Sequence, residues 1–317
     1  MGKRLTISSS PHLRSGASTR SIMLDVIIAL TPAAIASVIL FGPRALMLLA
    51  VSVSACVLSE WICRKILKRE NTIGDLSAVV TGILLAFNVP VGVNPLVLAF
   101  GDVVAIVVVK QMFGGIGQNF VNPALTARII LMASFPAQMS TWERPFYYLN
   151  PADAVTTATP LGIQKTGAEG TIPPLLRMLV GERPGCLGET CAVALILGGI
   201  YLVWRKVISP VIPLCYLGTA AAISLIAGRN VALDLLTGGL LLGGIFMATD
   251  YTTSPITPKG KVVFAVGAGI ITMLIRIFGA LPEGVSFSII LMNLLVPHIE
   301  RLTRPRVFGK VRAKDES

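Results

Sequence analysis

The sequence predicts an all-α polytopic membrane protein with about ten transmembrane helices, and three observations support this fold class. The chain has 317 residues, of which 54% are hydrophobic and only 14% are charged, whereas soluble domains carry about 25% charged residues. Its mean hydropathy is +0.77. Apolar runs that approach the ~20 residues needed to cross a membrane recur along the chain, which indicates one polytopic domain.

A first half, residues 22–135, contains five of the expected helices. They occupy about residues 22–41, 45–67, 75–89, 95–112 and 124–135. A Gly-Pro turn at residues 42–43 separates the first two, and Asn88 lies near the end of the third. The stretch Gly114–Pro123 is rich in glycine and ends in Asn-Pro, so we expect it to interrupt the chain before the fifth helix.

The second half, residues 188–300, contains the other five helices. They occupy about residues 188–204, 210–227, 231–248, 262–278 and 284–299. Residues 136–187 form a loop between the halves, and residues 1–21 and 301–317 form basic tails. The N-terminal tail has no small-residue cleavage site after a short apolar core, so we expect it to be retained and not to be a signal peptide.

Several expected helices are interrupted. The third, fourth, fifth and eighth contain glycine, Asn-Pro or aspartate, and they are shorter than ~20 residues. Such helices are tolerated in a membrane only where protein or a water-filled cavity surrounds them. Thr81-Gly82 in the third helix and Thr237-Gly238 in the eighth occupy equivalent places in the two halves. We therefore expect two five-helix repeats, inverted in the membrane because five is an odd number.

The distribution of Lys and Arg predicts the orientation. With a cytoplasmic N-terminus, about 20 basic residues, including Lys110 and Arg128, fall inside and about seven outside. Both termini are therefore predicted to be cytoplasmic, and residues 136–187 extracytoplasmic. We attribute the net charge of +11 to cytoplasmic loops and not to nucleic-acid binding. The basic C-terminal tail is expected to contact anionic membrane lipid, with a cytoplasmic partner subunit as the alternative.

Charged residues inside apolar runs are the first functional candidates. Asp25, Asp102 and Asp234 are candidates for an ion path, because a charge at mid-bilayer costs about 3 kcal/mol unless it is paired or hydrated. Glu60 and Arg276 belong to the same class. All of these except Asp102 lie near helix ends, where the alternative is that they simply reach the membrane surface. The five cysteines and two histidines show no metal-ligand spacing, and no motif indicates a catalytic residue.

The loop between the halves contains a second candidate, the hydroxyl of Thr159. Asp153, Thr156, Ala158 and Thr159 resemble the signal at which a dedicated transferase joins flavin mononucleotide (FMN) to the final threonine through a phosphoester. Thr157 stands where such signals often have glycine, so Thr156 and Thr157 remain neighbouring candidates. The alternative is structural, a threonine that caps a short helix after Pro160.

Three longer stretches extend this resemblance to nearly the whole chain. They are Gly114–Arg128, Phe246–Lys261 and Glu283–His298, and they resemble signature stretches of the D subunits of Rnf complexes, which are similar to the B subunit of the sodium-pumping NADH:quinone reductase. The resemblance implies an inner-membrane component of an ion-translocating ferredoxin:NAD⁺ oxidoreductase, with FMN on Thr159. It also implies a second, non-covalent flavin (riboflavin), the partner subunits A, B, C, E and G, and a flavin transferase for maturation.

Two other functions remain open on the residues alone. Broken helices and buried aspartates are equally expected of a secondary transporter or channel without a redox role. An inert scaffold subunit is the other alternative. Under the leading hypothesis the translocated ion is Na⁺ or H⁺.

Overall fold

The computed structural model describes residues 18–149, 159–166, 173–279 and 283–304. The α-helices are α1 Thr19–Phe41, α2 Pro43–Ile66, α3 Ser77–Phe87, α4 Pro95–Val103, α5 Pro123–Ser134, α6 Pro136–Met139, α7 Pro160–Thr166, α8 Leu175–Val180, α9 Ala192–Trp204, α10 Val211–Ile226, α11 Val231–Leu236, α12 Leu240–Leu242, α13 Pro258–Phe278 and α14 Val285–Thr303. A 3₁₀ turn at Ile73–Asp75 precedes α3, and π-helical segments continue α4 over Val104–Gln111 and α12 over Gly243–Met247. Since no strand occurs in these ranges, the all-α prediction is confirmed for the described part of the chain.

Four of the described helices are long and apolar enough to cross a membrane, namely α1, α2, α13 and α14. Helices α3, α5, α9 and α10 are shorter but also apolar. Large apolar side chains such as Ile39, Leu46, Ile226 and Phe278 are exposed on the outer faces of these helices. Because apolar surface of this extent is stable against lipid and not against water, the chain is a polytopic membrane protein.

The Asn-Pro interruptions that the sequence predicts coincide with real helix starts, whereas Gly101 and Asp102 of the fourth span lie inside α4. Local chemistry explains where the helices begin. Asn94, Asn122 and Thr257 each cap a helix whose first residue is proline. The side-chain oxygen of Asn122, for example, accepts the Leu125 N–H at 3.2 Å. A proline at this position loses no hydrogen bond, and the polar cap satisfies an N–H that would otherwise lack a partner. The Asn-Pro pairs therefore start helices as well as interrupting the apolar runs.

The third predicted span is a short helix, and the eighth is broken. Helix α3 has 11 residues and follows Leu76, which has a left-handed conformation with φ of 64°. Helix α11 ends at Leu236, and Gly238 and Gly239 then adopt φ of 67° and 69° before α12 begins. Such angles strain residues that carry a Cβ atom, and glycine relieves the strain at this break.

Small residues let the helices approach closely within each half and between the halves. A Cβ atom on Gly82 of α3 would lie 2.9 Å from the Val53 Cα of α2. A Cβ atom on Gly198 of α9 would lie 2.2 Å from the carbonyl oxygen of Ala29 in α1. Close backbone contact of this kind is typical of membrane helices, where packing replaces the hydrophobic effect as the driving force. The contact between α1 and α9 joins the two halves.

Candidate functional site

The structure describes only the last residue of the threonine motif. Asp153, Thr156, Thr157 and Ala158 lie outside the described residues. The side-chain oxygen of Thr159 accepts the N–H of Gly162 at 3.2 Å, and its carbonyl accepts the N–H of Ile163 at 2.9 Å. Thr159 therefore caps α7, as the structural alternative predicted, and it is only 8% exposed. In this cap the Thr159 side-chain oxygen acts only as a hydrogen-bond acceptor. The same oxygen can still accept a hydrogen bond when it is part of a phosphoester.

Helix α7 packs against the second half. Arg229 donates to the side-chain oxygen of Gln164 at 3.0 Å, and Lys165 donates to the carbonyl of Gly279. A Cβ atom on Gly238 would lie 2.4 Å from Cδ1 of Leu161, so this leucine fills the helix break. Partial burial and the neighbouring Arg229 charge lower the pKa of Lys165. Thr159 thus begins a short helix that is flanked by positive charge.

Asp102 is buried and hydrogen-bonded, and no basic side chain in the described part of the chain pairs with it. It is 0% exposed. One carboxyl oxygen, Oδ1, accepts the Ser52 hydroxyl at 2.6 Å and the Cys56 thiol at 3.2 Å. The other oxygen, Oδ2, has no hydrogen-bond partner among the described residues. Its complete burial in α4 agrees with the sequence-based expectation that it does not reach the membrane surface.

The other two aspartates are paired with arginines. Asp25 of α1 accepts from Tyr201 at 2.8 Å and from Arg205 at 3.3 Å, both contributed by α9 or its C-terminal cap. Asp234 of α11 accepts from two nitrogens of the Arg229 guanidinium, each at 2.9 Å. The three aspartates share no hydrogen-bond partner within the described ranges, so the structure does not bring them together into one site.

Glu60 and Arg276 also have partners. Glu60 forms a buried ion pair with Lys110 at 2.8 Å, and Lys110 also donates to the Ser77 hydroxyl at 2.6 Å. Arg276 donates to backbone carbonyls of residues 234, 237 and 238, where the break after α11 leaves them without helical partners. Lys110 therefore steadies the start of α3, and Arg276 steadies the break after α11.

A cluster that the sequence did not predict surrounds Arg128. This buried arginine of α5 donates to Asn88 at 2.9 Å, to Ser286 at 3.2 Å, to the Cys186 sulfur at 3.6 Å, and to Glu283 in an ion pair. The sequence feature that could have predicted this cluster is the position of Arg128 inside a short, interrupted apolar run, where a charge needs a partner. Arg128 and Lys110, which the charge count places on the cytoplasmic side, are both buried in ion pairs inside the protein.

A second carboxylate, that of Glu189, lies beside the same arginine. Ligand atoms of Cys186, Glu189 and Glu283 all lie within 4.8 Å of one another. Arg128 donates to two of these three residues. The guanidinium of Arg128 is therefore the cation that this group of side chains surrounds.

A cavity of about 430 Å³ opens between the two halves, near the starts of α1 and α3. Its walls are mainly apolar and include Val80, Leu84 and Phe246. The lining also contains polar groups, among them Thr81, Asn119 and Thr249. The cavity can accept a mostly apolar ligand that carries a few hydrogen-bonding groups.

Comparison with known proteins gives consistent matches along the whole chain. The model of the NQR2, RnfD, RnfE family matches residues 6–309. The D subunit of the Na⁺-translocating ferredoxin:NAD⁺ oxidoreductase complex of Acetobacterium woodii is 47% identical over 315 residues, covering 99% of this chain and 98% of the relative. The D subunit of the proton-translocating ferredoxin:NAD⁺ oxidoreductase complex of Clostridium ljungdahlii is 41% identical over 321 residues, covering 96% of each chain. The D subunit of the ion-translocating oxidoreductase complex of Halorhodospira halophila is 35% identical over 341 residues, covering 96% of this chain and 95% of the relative.

Proposed function

The chain belongs to the NQR2, RnfD, RnfE family, and from this premise we propose that it is the D subunit of an ion-translocating ferredoxin:NAD⁺ oxidoreductase complex that carries electrons through FMN bound covalently to Thr159. Similarity over nearly the full length to subunits of that name is the observation that carries the proposal. The ferredoxin and NAD⁺ sites belong to partner subunits, expected to be A, B, C, E and G. The complex lies in the cell (inner) membrane.

The surroundings of Thr159 fit a phosphoester-linked flavin. The hydroxyl oxygen begins a helix and accepts a backbone N–H. Lys165 of the same helix adds a positive charge, and positive charge stabilises a phosphate, whereas Arg229 is already paired with Asp234. When bound, the flavin supplies the redox chemistry, while this chain positions it and sets its electrostatic surroundings.

The burial of Thr159 bears on when the flavin is attached. Thr159 is only 8% exposed as a whole residue, so a transferase cannot reach its hydroxyl in this packing. The contacts that hold α7 in place are made with Gly238, Gly279 and Arg229. We infer that the transferase acts before α7 packs against the second half, or while α7 is displaced from it.

The second flavin fits the cavity between the halves. Riboflavin has no phosphate, so its site needs no cluster of free basic groups. Lys110, a basic residue on the cavity wall, is already paired with Glu60. The apolar walls suit a flat ring system, and Thr81, Asn119 and Thr249 offer hydrogen bonds to its polar edge.

Ten spans arranged as two inverted repeats remain part of the proposal. Equivalent spans of the two halves, the second and the fourth, are joined by similar buried polar contacts. In the first half Ser52 of α2 contacts Asp102 of α4 at 2.6 Å, and in the second half Tyr216 of α10 contacts Thr272 of α13 at 2.6 Å. The third span of each half also begins with a short helix, of 11 residues in α3 and 6 in α11. These correspondences support a repeat, with both termini cytoplasmic and residues 136–187 extracytoplasmic.

The decisive experiment tests the covalent link. The denatured polypeptide should carry flavin fluorescence on a gel, and Thr159→Ala should abolish it because alanine has no hydroxyl to form the phosphoester. Thr157→Ala serves as the matched control and should keep the fluorescence. Fluorescence that survives Thr159→Ala would contradict the assignment.

The same preparation tests the transporter alternative. A colourless purified chain that moves solute without ferredoxin or NAD⁺ would support a secondary transporter instead. Broken helices, and an Asp102 oxygen without a partner among the described residues, favour that function as the second candidate.

A further inference from the structure

Arg128, Glu189 and Glu283 form a buried group of one guanidinium and two carboxyl groups, which we call the two-carboxyl cluster. Their exposed fractions are 3%, 5% and 8%. The cluster joins elements from the whole molecule, since Arg128 belongs to α5, Glu283 precedes α14, and Glu189 precedes α9. Neither the flavin proposed on Thr159 nor the cavity between the halves uses it.

The two carboxyl groups have different partners. Glu283 accepts a guanidinium N–H from Arg128. Glu189 accepts a neutral backbone N–H, that of Cys186 at 3.2 Å, on its oxygen Oε1. Its other oxygen, Oε2, has no hydrogen-bond partner within the part of the chain that the structure describes. An ionised carboxylate with an oxygen left bare in a dry interior is strongly unfavourable.

The hydrogen bonds that the arginines around Glu189 donate within the described chain go to groups other than the Glu189 carboxyl, and the Nε atoms of Arg128 and Arg276 have no partner there. The terminal nitrogens of Arg128 donate to Asn88, Ser286, Glu283 and Cys186. Arg183 donates to the backbone carbonyls of Glu189 and Thr190 at 2.7 and 3.2 Å.

The titratable and charged groups that face Glu189 are Arg128, Arg183, Cys186, Arg276 and Glu283. Arg183 and Arg276 favour the ionised form by their charge, but the hydrogen bonds that they donate within the described ranges go to backbone carbonyls.

The unpartnered oxygen faces the helix break of the second half. A Cβ atom on Gly239, between α11 and α12, would lie 2.9 Å from Oε2 of Glu189. Gly239 has φ of 69°, and glycine brings no side chain into the space in front of the carboxyl group. Close packing leaves little room for the several oxygen ligands that a metal cation collects. A proton needs only one oxygen lone pair.

We propose that Glu189 is a proton-binding site, a carboxylic acid that carries its proton on Oε2 while Glu283 carries the negative charge that balances Arg128. Glu283 already supplies the carboxylate that pairs with Arg128, and the negative charge of one carboxylate disfavours ionisation of a second carboxyl group beside it. The site lies where the loop between the halves meets both halves, so binding or loss of the proton changes the charge at this junction.

Infrared spectroscopy of the purified complex tests the protonation state directly. Glu189→Gln keeps the shape of the side chain and removes its acid. The difference spectrum should show loss of a protonated carboxylic C=O band and no loss of a carboxylate band. Glu182→Gln is the control, because Glu182 is exposed beside Arg177 and should lose a carboxylate band only. Loss of a carboxylate band in Glu189→Gln would overturn the proposal.

A second measurement keeps the test independent of that variant. A hydrophobic carbodiimide reacts with a protonated acid: the acid proton moves to a carbodiimide nitrogen, the carboxyl oxygen bonds to the central carbon, and acyl migration to nitrogen gives a stable N-acylurea with no leaving group. Mass spectrometry of the wild-type complex should find this adduct on Glu189. An adduct on Glu283 instead of Glu189 would contradict the proposal.

Discussion

Asp102 differs from the other two candidate aspartates in the charge of its partners. Asp25 and Asp234 each accept N–H bonds from an arginine, which stabilises the ionised carboxylate. Asp102 accepts from a hydroxyl and a thiol, and it has one oxygen without a partner in the described chain. A carboxyl group with this environment can bind and release a cation, whereas a carboxylate fixed by an arginine is chiefly structural.

Replacing Asp102 with asparagine should therefore impair transport more than folding. We expect ion uptake by the reconstituted complex to fall about tenfold or more, while the complex still assembles, because asparagine keeps an oxygen to accept the Ser52 hydroxyl. Uptake of Na⁺ or H⁺ into proteoliposomes, measured beside electron transfer, checks this.

Asp25→Asn is the control and should leave uptake near the wild-type level, since its Arg205 partner is half-exposed and its charge is screened by solvent. Unchanged uptake in Asp102→Asn would argue against an ion path at this residue.

Interrupted helices set the positions of the functional groups at the scale of the elements. The break after α11 exposes carbonyl groups that Arg276 binds. The same break brings Gly238 against Leu161 of α7 and Gly239 against Glu189. One glycine pair thus connects the helix that begins after Thr159 with the two-carboxyl cluster.

Two glycines with nearly equal backbone angles provide a matched test of this break. Gly239 and Gly228 have φ of 69° and 66°, but a Cβ atom on Gly239 would meet Glu189 whereas one on Gly228 would meet nothing within 4 Å. Left-handed strain costs alanine about 1–2 kcal/mol at both positions. We expect Gly239→Ala to lower the free energy of unfolding by clearly more than Gly228→Ala does, as measured by thermal unfolding in detergent. Equal losses would show that the contact with Glu189 contributes nothing.

The two halves form one molecule partly through the close contact of α1 with α9. Gly198 lies so close to the carbonyl of Ala29 that a Cβ atom would overlap it at 2.2 Å. The ion pair of Asp25 with Arg205 lies on the same helix pair. Separating these helices is therefore expected to disturb the whole molecule and not one half alone.

Gly198→Ala tests that contact. Overpacking should destabilise the chain by about 1–3 kcal/mol and should lower the yield of the assembled complex. Gly218→Ala in α10 is the control, because nothing lies within 4 Å of the Cβ position there and alanine favours a helix by about 1 kcal/mol over glycine. The melting temperature and the assembled fraction, read after gel filtration, compare the two. If Gly198→Ala behaves like Gly218→Ala, the halves do not depend on this contact.

Local patterns in the sequence were enough to predict the membrane class, the helical fold and most helix ends. Hydropathy, proline and polar caps act over a few residues. The ends of α1, α2 and α10 therefore lie within a few residues of the expected ends. The larger differences between expected and observed helix ends occur where contacts between distant segments set the end of a helix. Residues 188–191, expected to begin a span, instead run beside the end of α3, where the N–H of Gly188 bonds to the carbonyl of Phe87.

Only the tertiary structure decided which charges meet and which hydroxyls are covered. Arg128 and Glu283 are separated by 155 positions, and no periodicity links residues at that distance. The charge count sorts Arg128 by its place along the chain, so it does not reveal the carboxylate that a distant segment brings to it. The burial of Thr159 has the same kind of cause, because α7 packs against residues that are distant in the sequence. The sequence by itself determined the kind of fold, through short-range chemistry, while packing between distant segments determined the surroundings of its buried groups.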